Sequence, residues 1–177
     1  WARGTALALA GWAKFASLAL APLWLAYPGG FRPRLLARPT VAFAVTTAIA
    51  FTVLLLEPDL MDAARTFWDR TLRNQLGRDS PFSLWGWGQY HAAGVPDLGA
   101  VQLLLQVNVA VLAVAAAVRP RVKGPLELAA LSAAILLAVQ IVLPHWFYLY
   151  LPWVLPFCVL ALVLPRTEVD VGGRGSS

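Results

Sequence analysis

Polar side chains within the apolar segments of this chain are its strongest candidates for chemistry. An amide or a charge in hydrocarbon must find a polar partner or a wet cavity. Gln102 and Gln106 lie one helical turn apart, and Gln140 lies toward the matching end of the next apolar segment. Lys14 lies inside the first apolar segment, where a charge costs about 3 kcal/mol on insertion scales. Two interpretations stay open: these groups line a recess, or the amides bond between helices and Lys14 extends its ammonium to the membrane surface.

The connection over residues 57–97 adds charged and aromatic side chains next to the polar amides. Arginines pair with phosphate oxygens, a carboxylate can act as a base, and aromatic rings can hold a sugar or an isoprenoid. This combination suits a lipid-linked anionic substrate. Tyr90 belongs to the aromatic cluster of this connection, which is also typical of a belt that anchors a segment among lipid headgroups.

Several other chemistries have no support in the sequence. The chain contains no GxxxxGKS, GxGxxG, GxSxG, HExxH or CxxC motif, which argues against soluble nucleotide use, serine hydrolysis and structural zinc. A single cysteine, Cys158, and two histidines are too few for a Cys/His zinc site. We therefore expect neither a metal nor a cofactor.

Composition places the elements that must position these groups in a lipid bilayer. The chain has 177 residues, of which 59% are hydrophobic and 13% charged, and its mean hydropathy is +0.67. Soluble domains are nearer half apolar and a quarter charged. The net charge of +5 does not indicate a nucleic-acid partner, because the basic residues lie between apolar runs. We predict an all-α fold, a polytopic bundle of transmembrane helices over residues 1–164.

Five apolar runs are long enough to cross about 30 Å of hydrocarbon, which needs roughly 20 helical residues. They lie near 4–27, 40–56, 98–118, 126–143 and 146–164. Basic residues without acids fill the short loops after the first and third runs, which predicts that these loops are cytoplasmic. By alternation, the 57–97 loop lies outside the plasma membrane and the C terminus is cytoplasmic. We expect residues 165–177, rich in Gly and Ser, to form a disordered cytoplasmic tail.

Within the outer loop, residues 60–76 have the period of an amphipathic helix. Apolar residues recur every three or four positions, and charged residues occupy the other side. Arg65, Asp69 and Arg73 are four apart, so that they can form alternating ion pairs. We expect this helix to lie flat on the outer surface, either covering the bundle or forming one wall of a binding site.

Three stretches of the chain carry a resemblance to a known family. They are GWAKFASLALAPLWL (11–25), FWDRTLRNQLGRDSPFSLWG (67–86) and HWFYLYLPWVLP (145–156). Together they resemble the later part of polytopic membrane glycosyltransferases of the GT-C superfamily, with glycosyltransferase family 87 as the closest candidate. Such hexosyltransferases move a sugar, for which mannose is one candidate, from a polyprenyl-phosphate donor to a glycolipid or cell-envelope glycan acceptor outside the plasma membrane.

The resemblance also implies roles for individual residues. It places the catalytic base in an earlier outer loop, so we expect the base upstream of Trp1 and the chain to be part of a longer protein. The residues placed to meet the donor phosphate are Arg70, Arg78 and Lys14. The residues placed to bind acceptor hydroxyls or shape the site are Asp79, His91 and His145, with Asp79 and His91 as the weaker candidates for catalysis.

Two other functions compete with a transferase. A transporter or flippase would use the outer recess as one end of a path, and its polar residues would continue to the inner face. The inner half of the 98–118 run offers almost only Ala, Val and Leu. A membrane scaffold without catalysis would use the surface helix and the aromatic residues for packing alone.

Overall fold

Every regular element in the described part of the chain is helical. The computed structural model describes residues 1–74, 83, 85, 98–144 and 150–165, and this part contains no β-strand. Its α-helices are α1 (Ala2–Ala13), α2 (Ala21–Ala26), α3 (Pro33–Phe51), α4 (Leu60–Trp68), α5 (Gly99–Val118), α6 (Pro125–Val142) and α7 (Leu151–Val163). Narrower 3-10 turns cover Phe15–Leu20 and Thr52–Leu56, and a wider π turn covers Asp69–Arg73. The prediction of an all-helical bundle is confirmed.

Three helical segments are long and apolar enough to span a membrane, which fits a membrane protein. They are Pro33–Leu56 with 24 residues, Gly99–Val118 with 20 and Pro125–Val142 with 18. At 1.5 Å per residue, such helices reach about 27 to 36 Å, the thickness of the hydrocarbon layer. They correspond to the second, third and fourth predicted runs. The second begins earlier than predicted, at Pro33, whose ring suits the first turn of a helix.

The first predicted run, 4–27, is not one continuous helix. α1 ends at Ala13, and Lys14 takes an extended conformation with φ −151° and ψ 108°. The chain then continues as 3-10 turns and the short α2. Hydropathy does not detect this interruption, because the residues on both sides of it are apolar. α7 has 13 residues, and residues 146–149 of the fifth run lie outside the described part, so the count of five spans is not confirmed.

α6 lies at the centre of the bundle. It is 39% buried within its apolar stretch, whereas the equivalent stretches of α3 and α5 are 11% buried. On α6, Ser132 is fully buried and its hydroxyl accepts a 2.9 Å hydrogen bond from the indole nitrogen of Trp24 on α2. The large hydrophobic side chains that are exposed on α3 and α5 are mostly Val and Leu, as expected of surfaces that face lipid.

α1 and α3 pack at close range. A β-carbon on residue 4 would lie 1.9 Å from the carbonyl oxygen of Pro39, so only glycine fits there. At the other end of α1, the indole nitrogen of Trp12 donates a 2.8 Å hydrogen bond to the hydroxyl of Thr47. These two contacts hold α1 beside α3 up to the point where α1 is interrupted.

The predicted amphipathic helix is present as α4. Asp59 caps its first turn, because one carboxylate oxygen accepts bonds from the amides of Met61 at 2.9 Å and Asp62 at 3.1 Å. One predicted ion pair also forms, with 3.5 Å between Arg73 and Asp69. Both side chains are largely exposed, so the pair contributes only tenths of a kcal/mol. The helical segment continues through residue 74, beyond which the 60–76 prediction leaves the described residues.

Candidate functional site

A cavity of about 610 Å³ lies where the 3-10 continuation of α3 and the C-terminal end of α6 meet the start of α7. α4 and its π turn cover one side of the cavity, so it sits at the end of the bundle where the 57–97 connection begins. Its described polar lining includes two basic side chains, Lys14 and Arg70. The aromatic part of its lining consists of Trp12, Phe15, Phe51, Phe67, Tyr150 and Trp153. The volume is that of a typical small-ligand pocket.

Lys14 reaches this cavity because the first apolar segment is interrupted at that residue. Its amide donates to the carbonyl of Ala10 at 2.9 Å, and its carbonyl accepts from the amide of Ser17 at 2.9 Å. A β-carbon on Gly11 would lie 2.3 Å from a methyl carbon of Leu18, so glycine allows the 3-10 turns to fold against α1. Irregular backbone at membrane depth is tolerated where it is buried in protein or lines a cavity. The interruption at Lys14 meets this condition.

The ammonium of Lys14 faces two aromatic rings. Its nitrogen lies 4.6 Å from the ring centroid of Trp153 and 5.6 Å from that of Tyr150. The two rings stack on each other, with 4.3 Å between centroids and 26° between planes. In the described part of the chain, no carboxylate lies within 4.0 Å of Lys14 or Arg70. The positive charge at the cavity is therefore not neutralised by a described acid.

Arg70 is carried by the π turn that follows α4. The hydroxyl of Thr71 donates to the carbonyl of Phe67, and both residues line the cavity beside Arg70. π turns widen a helix locally and occur often at functional sites. Arg73, three positions later, has a side chain that is 79% exposed and is not among the described lining residues. The two arginines of one turn therefore have different surroundings.

A second recess, of about 510 Å³, adjoins the first and contains acids. The two share a wall made by Leu54, Phe67, Arg70 and Thr71. The acids that line the second recess are Glu57, Asp59 and Asp62. Asp59 is engaged as the cap of α4, which leaves Glu57 and Asp62 as carboxylates near Arg70. The sequence analysis did not single out these two residues, although both lie at the predicted start of the surface helix.

Gln102 and Gln106 bind the end of α6. Their amide nitrogens donate to the carbonyl of Val142 at 3.0 Å and 3.2 Å. The last carbonyls of a helix have no partner within the helix, so donors from another element stabilise them. In the described lining of the cavity neither glutamine occurs. These bonds favour the interpretation in which the glutamine amides form hydrogen bonds between helices.

Two residues of the 57–97 connection bind the same helix end. The hydroxyl of Ser83 donates to the carbonyl of Leu143 at 2.8 Å, and the indole nitrogen of Trp85 donates to the carbonyl of Ile141 at 2.8 Å. Ser83 is buried. Side chains from two other parts of the chain therefore cap α6 at the cavity end of the bundle.

Gln140 connects α6 to the start of α7. Its side chain is buried, and its amide nitrogen donates to the carbonyl of Tyr150 at 3.1 Å. Tyr150 immediately precedes α7, so this bond fixes the point at which that helix begins. The amide acts on a residue that itself lines the cavity.

Of the predicted site residues, the structure brings Lys14 and Arg70 together in one cavity. Three further candidates, Gln102, Gln106 and Gln140, donate to backbone carbonyls. The other candidates lie outside the described residues; they are Arg78, Asp79, Tyr90, His91 and His145. Sequence reasoning missed Trp153 and Tyr150 as partners of Lys14. They lie in the aromatic 145–156 stretch, whose pattern does not say which charge its rings will meet.

The other lysine of the chain, Lys123, has different surroundings from Lys14. Lys123 is 2% exposed, and its ammonium donates to the carbonyls of Ala117 at 3.0 Å and Pro120 at 2.7 Å. Its amide donates to the carbonyl of Pro28 at 3.1 Å. Burial lowers the pKa of this ammonium from its ordinary value of 10.5. Lys123 therefore fastens the α5–α6 loop to the α2–α3 turn.

No protein-family model, curated protein or solved structure matches this chain. Among the described residues, no group of three or more His, Cys, Asp or Glu side chains could hold a metal ion. The feature of the described chain that bears on function is the cavity, with its two cations and its aromatic lining.

Proposed function

We propose that this chain is part of a membrane glycosyltransferase that moves a sugar from a polyprenyl-phosphate donor to a glycolipid or cell-envelope glycan on the outer face of the plasma membrane. The observation that carries the proposal is that Lys14 and Arg70 line one cavity whose other walls are mostly aromatic and aliphatic. A polyprenyl-phosphate sugar has an anionic phosphate between an isoprenoid chain and a sugar. Cations suit its phosphate, and the aliphatic side chains and the rings that do not contact Lys14 suit its two ends.

The reaction that follows is a one-step displacement at the anomeric carbon. A carboxylate takes the proton of an acceptor hydroxyl, and the hydroxyl oxygen forms the new bond to that carbon. The bond between the carbon and the phosphate oxygen breaks, and polyprenyl phosphate leaves with the electron pair. Lys14 and Arg70 stabilise the charge that develops on the leaving phosphate.

The base belongs upstream of Trp1 in this proposal, as the family resemblance implies. Glu57 and Asp62 are two further carboxylates close to the cavity, because their recess shares Arg70 with it. Replacement of each by its amide in the full-length protein separates the two possibilities. Loss of transfer in E57Q or D62N would move the base into this chain.

Transfer of radiolabelled sugar tests the proposal. The full-length protein, purified in detergent, is incubated with polyprenyl-phosphate mannose or polyprenyl-phosphate glucose and with lipids extracted from its own membrane. We expect label to move to a lipid or glycan acceptor, and Arg70→Met to lower the rate about tenfold or more, since a lost cation–phosphate contact is worth at least about 1.4 kcal/mol.

Arg73→Met is the matched control for Arg70. It removes the same side chain from the same turn, but Arg73 is exposed and is paired with Asp69 instead of lining the cavity. The control should transfer sugar at the rate of the wild type. Equal rates in both variants would remove Arg70 from the site, and absence of transfer from either donor would contradict the assignment as a hexosyltransferase.

A transporter or flippase is the second candidate, and the interruption at Lys14 favours it. Discontinuous helices form the substrate sites of many transporters. The two functions leave the donor in different states. A transferase cleaves the bond between sugar and phosphate, whereas a flippase returns the donor intact on the other leaflet. Recovery of intact donor after translocation in proteoliposomes would favour the transporter.

A further inference from the structure

The ammonium of Lys14 is held by ring faces instead of by an acid. Its nitrogen lies 4.6 Å from the Trp153 ring and 5.6 Å from the Tyr150 ring, and the two rings stack at 4.3 Å. Within the described chain it forms no ion pair. The aromatic contacts are therefore what restrains this side chain at the cavity.

The type of partner decides whether the charge is available to a ligand. A carboxylate would cancel the charge of Lys14 and compete with any anion that enters the cavity. A ring face attracts a cation through its quadrupole and adds no net charge. The rings therefore restrict the position of the Lys14 ammonium without placing an opposing charge beside it.

A buried amide positions the two rings in turn. The side chain of Gln140 is 4% exposed, and its nitrogen donates to the carbonyl of Tyr150 at 3.1 Å. Tyr150 precedes α7, and Trp153 follows in the first turn of that helix. A chain of contacts thus runs from the central helix, through Tyr150 and Trp153, to the ammonium.

We propose that Gln140, Tyr150 and Trp153 are positioning residues that hold the ammonium of Lys14 at the cavity, where it binds the phosphate of a lipid-linked ligand. The inference rests on the proposed function only for the identity of the anion. Trp153 acts through Lys14, so its removal matters only while Lys14 is present.

Ring currents give a readout that does not depend on any ligand. Reductive methylation with 13C-formaldehyde turns lysine ammoniums into charged dimethylammonium groups, and the Lys14 signal is assigned by its loss in Lys14→Met. A cation above aromatic faces has its methyl protons shifted upfield in the NMR spectrum. We expect an upfield Lys14 signal that moves to the free-lysine position in Trp153→Leu and stays upfield in Trp153→Phe.

Two further variants protect this experiment against misfolding and against general effects on α7. Tyr150→Leu removes the second ring and should move the same signal part of the way. Phe157→Leu is the matched control, because it removes a ring from α7 that faces Trp24, with 6.2 Å between centroids, instead of Lys14. A Lys14 signal that ignores Trp153→Leu and Tyr150→Leu, or that moves equally in Phe157→Leu, would overturn the proposal.

Affinity for farnesyl phosphate, measured by titration calorimetry in detergent, tests the step from position to binding. We expect Lys14→Met and Trp153→Leu each to weaken binding about tenfold, and Trp153→Phe to stay within about twofold of the wild type. Gln140→Leu should weaken binding less than Trp153→Leu does. The double variant Lys14→Met, Trp153→Leu should bind no more weakly than Lys14→Met alone, because Trp153 acts through Lys14.

The two experiments separate the inference from the proposed function. If Trp153→Leu moves the Lys14 signal but the wild type does not bind farnesyl phosphate, the ligand assignment fails and the positioning role stands. If the wild type binds farnesyl phosphate and the signal does not move, the positioning role fails. Additive loss of affinity in the double variant would show that Trp153 contacts the ligand directly, which also overturns the proposal.

Discussion

Lys14 and Lys123 are the only two lysines in this chain, and their surroundings are opposite. The ammonium of Lys123 is buried and donates to two backbone carbonyls. The ammonium of Lys14 faces two aromatic rings at the edge of a cavity. An ammonium group is therefore a structural connector at Lys123, where carbonyls accept its hydrogen bonds. It is a candidate ligand-binding group at Lys14, where its contacts within the described residues are ring faces.

The regions around the two lysines differ in the same way. Near Lys123, the backbone and side chains satisfy one another: the amide of Gly124 donates to the carboxylate of Glu127 at 2.8 Å, and the Lys123 ammonium binds the end of α5. A cation near a helix C terminus also interacts favourably with the helix dipole. At the cavity, neither Lys14 nor Arg70 has a described carboxylate within 4.0 Å. A ligand is expected at the cavity, where charged side chains have no described ion-pair partner.

The largest expected effect separates the two regions by packing. Gly4→Leu would place a β-carbon 1.9 Å from the carbonyl oxygen of Pro39, and a backbone atom there cannot move aside. We expect α1, which leads to Lys14, to be pushed from α3, and the free energy of unfolding to fall by about 3 kcal/mol or more. Unfolding in increasing fractions of dodecyl sulfate measures this change.

Gly29→Ala is the control for this packing prediction. Its β-carbon would meet a flexible methyl group of Leu35 at 3.3 Å, so a small shift of that side chain accommodates it. We expect Gly29→Ala to unfold close to the wild type. Equal unfolding of Gly4→Leu and wild type would mean that α1 and α3 do not pack at this distance.

An intermediate effect is expected from exchanging each lysine for methionine. Lys123→Met leaves the carbonyls of Ala117 and Pro120 without their donor, so the free energy of unfolding should fall by about 2 kcal/mol. Lys14→Met removes a charge from an apolar surrounding, so its free energy of unfolding should be at least that of the wild type. Farnesyl phosphate affinity should change in the opposite order, with a loss only in Lys14→Met. A loss of stability in Lys14→Met without one in Lys123→Met, or a loss of affinity in Lys123→Met without one in Lys14→Met, would contradict the distinction between the lysines.

The smallest expected effect is a pH dependence carried by Lys123, which lies outside the membrane-spanning segments. Burial lowers its pKa below 10.5, so between the lowered value and 10.5 the unfolded chain binds more protons than the folded chain. The contribution of Lys123 to the free energy of unfolding therefore rises with pH through this window. The stability difference between the wild type and Lys123→Met should widen as the pH is raised toward 10.5. A difference that narrows would contradict the burial of this ammonium.

Hydropathy and periodicity predicted the parts of the fold that follow from local sequence. The three long apolar helices and the start of α4 at Leu60 fall in this class, since length, apolar content and the Asp59 cap are all local. The interruption at Lys14 does not. It depends on the space that Gly11 leaves for the side chain of Leu18 and on a cavity formed by helices that are distant in sequence. A short stretch of sequence does not reveal such tertiary contacts.

In the candidate site, too, some features follow from local sequence and others depend on tertiary contacts. Lys14 was predictable as a candidate because a charge within an apolar segment is visible in the sequence, and Arg70 because the family resemblance implies a cation at the donor phosphate. Their meeting in one cavity, and the role of Trp153, depend on tertiary contacts. For Gln102 and Gln106 the sequence left two partners open, and the bonds to Val142 became visible only from the packing of α5 against α6.

The bonds from Ser83 and Trp85 to the end of α6 have a mechanical consequence. They tether Ser83 to Leu143 and Trp85 to Ile141, and Leu143 is itself part of the cavity wall. A displacement of these two residues is transmitted to that wall, because both bonds to α6 are direct. Displacement of Ser83 or Trp85 therefore acts on the end of α6, including the part that forms the cavity wall, for as long as both bonds hold.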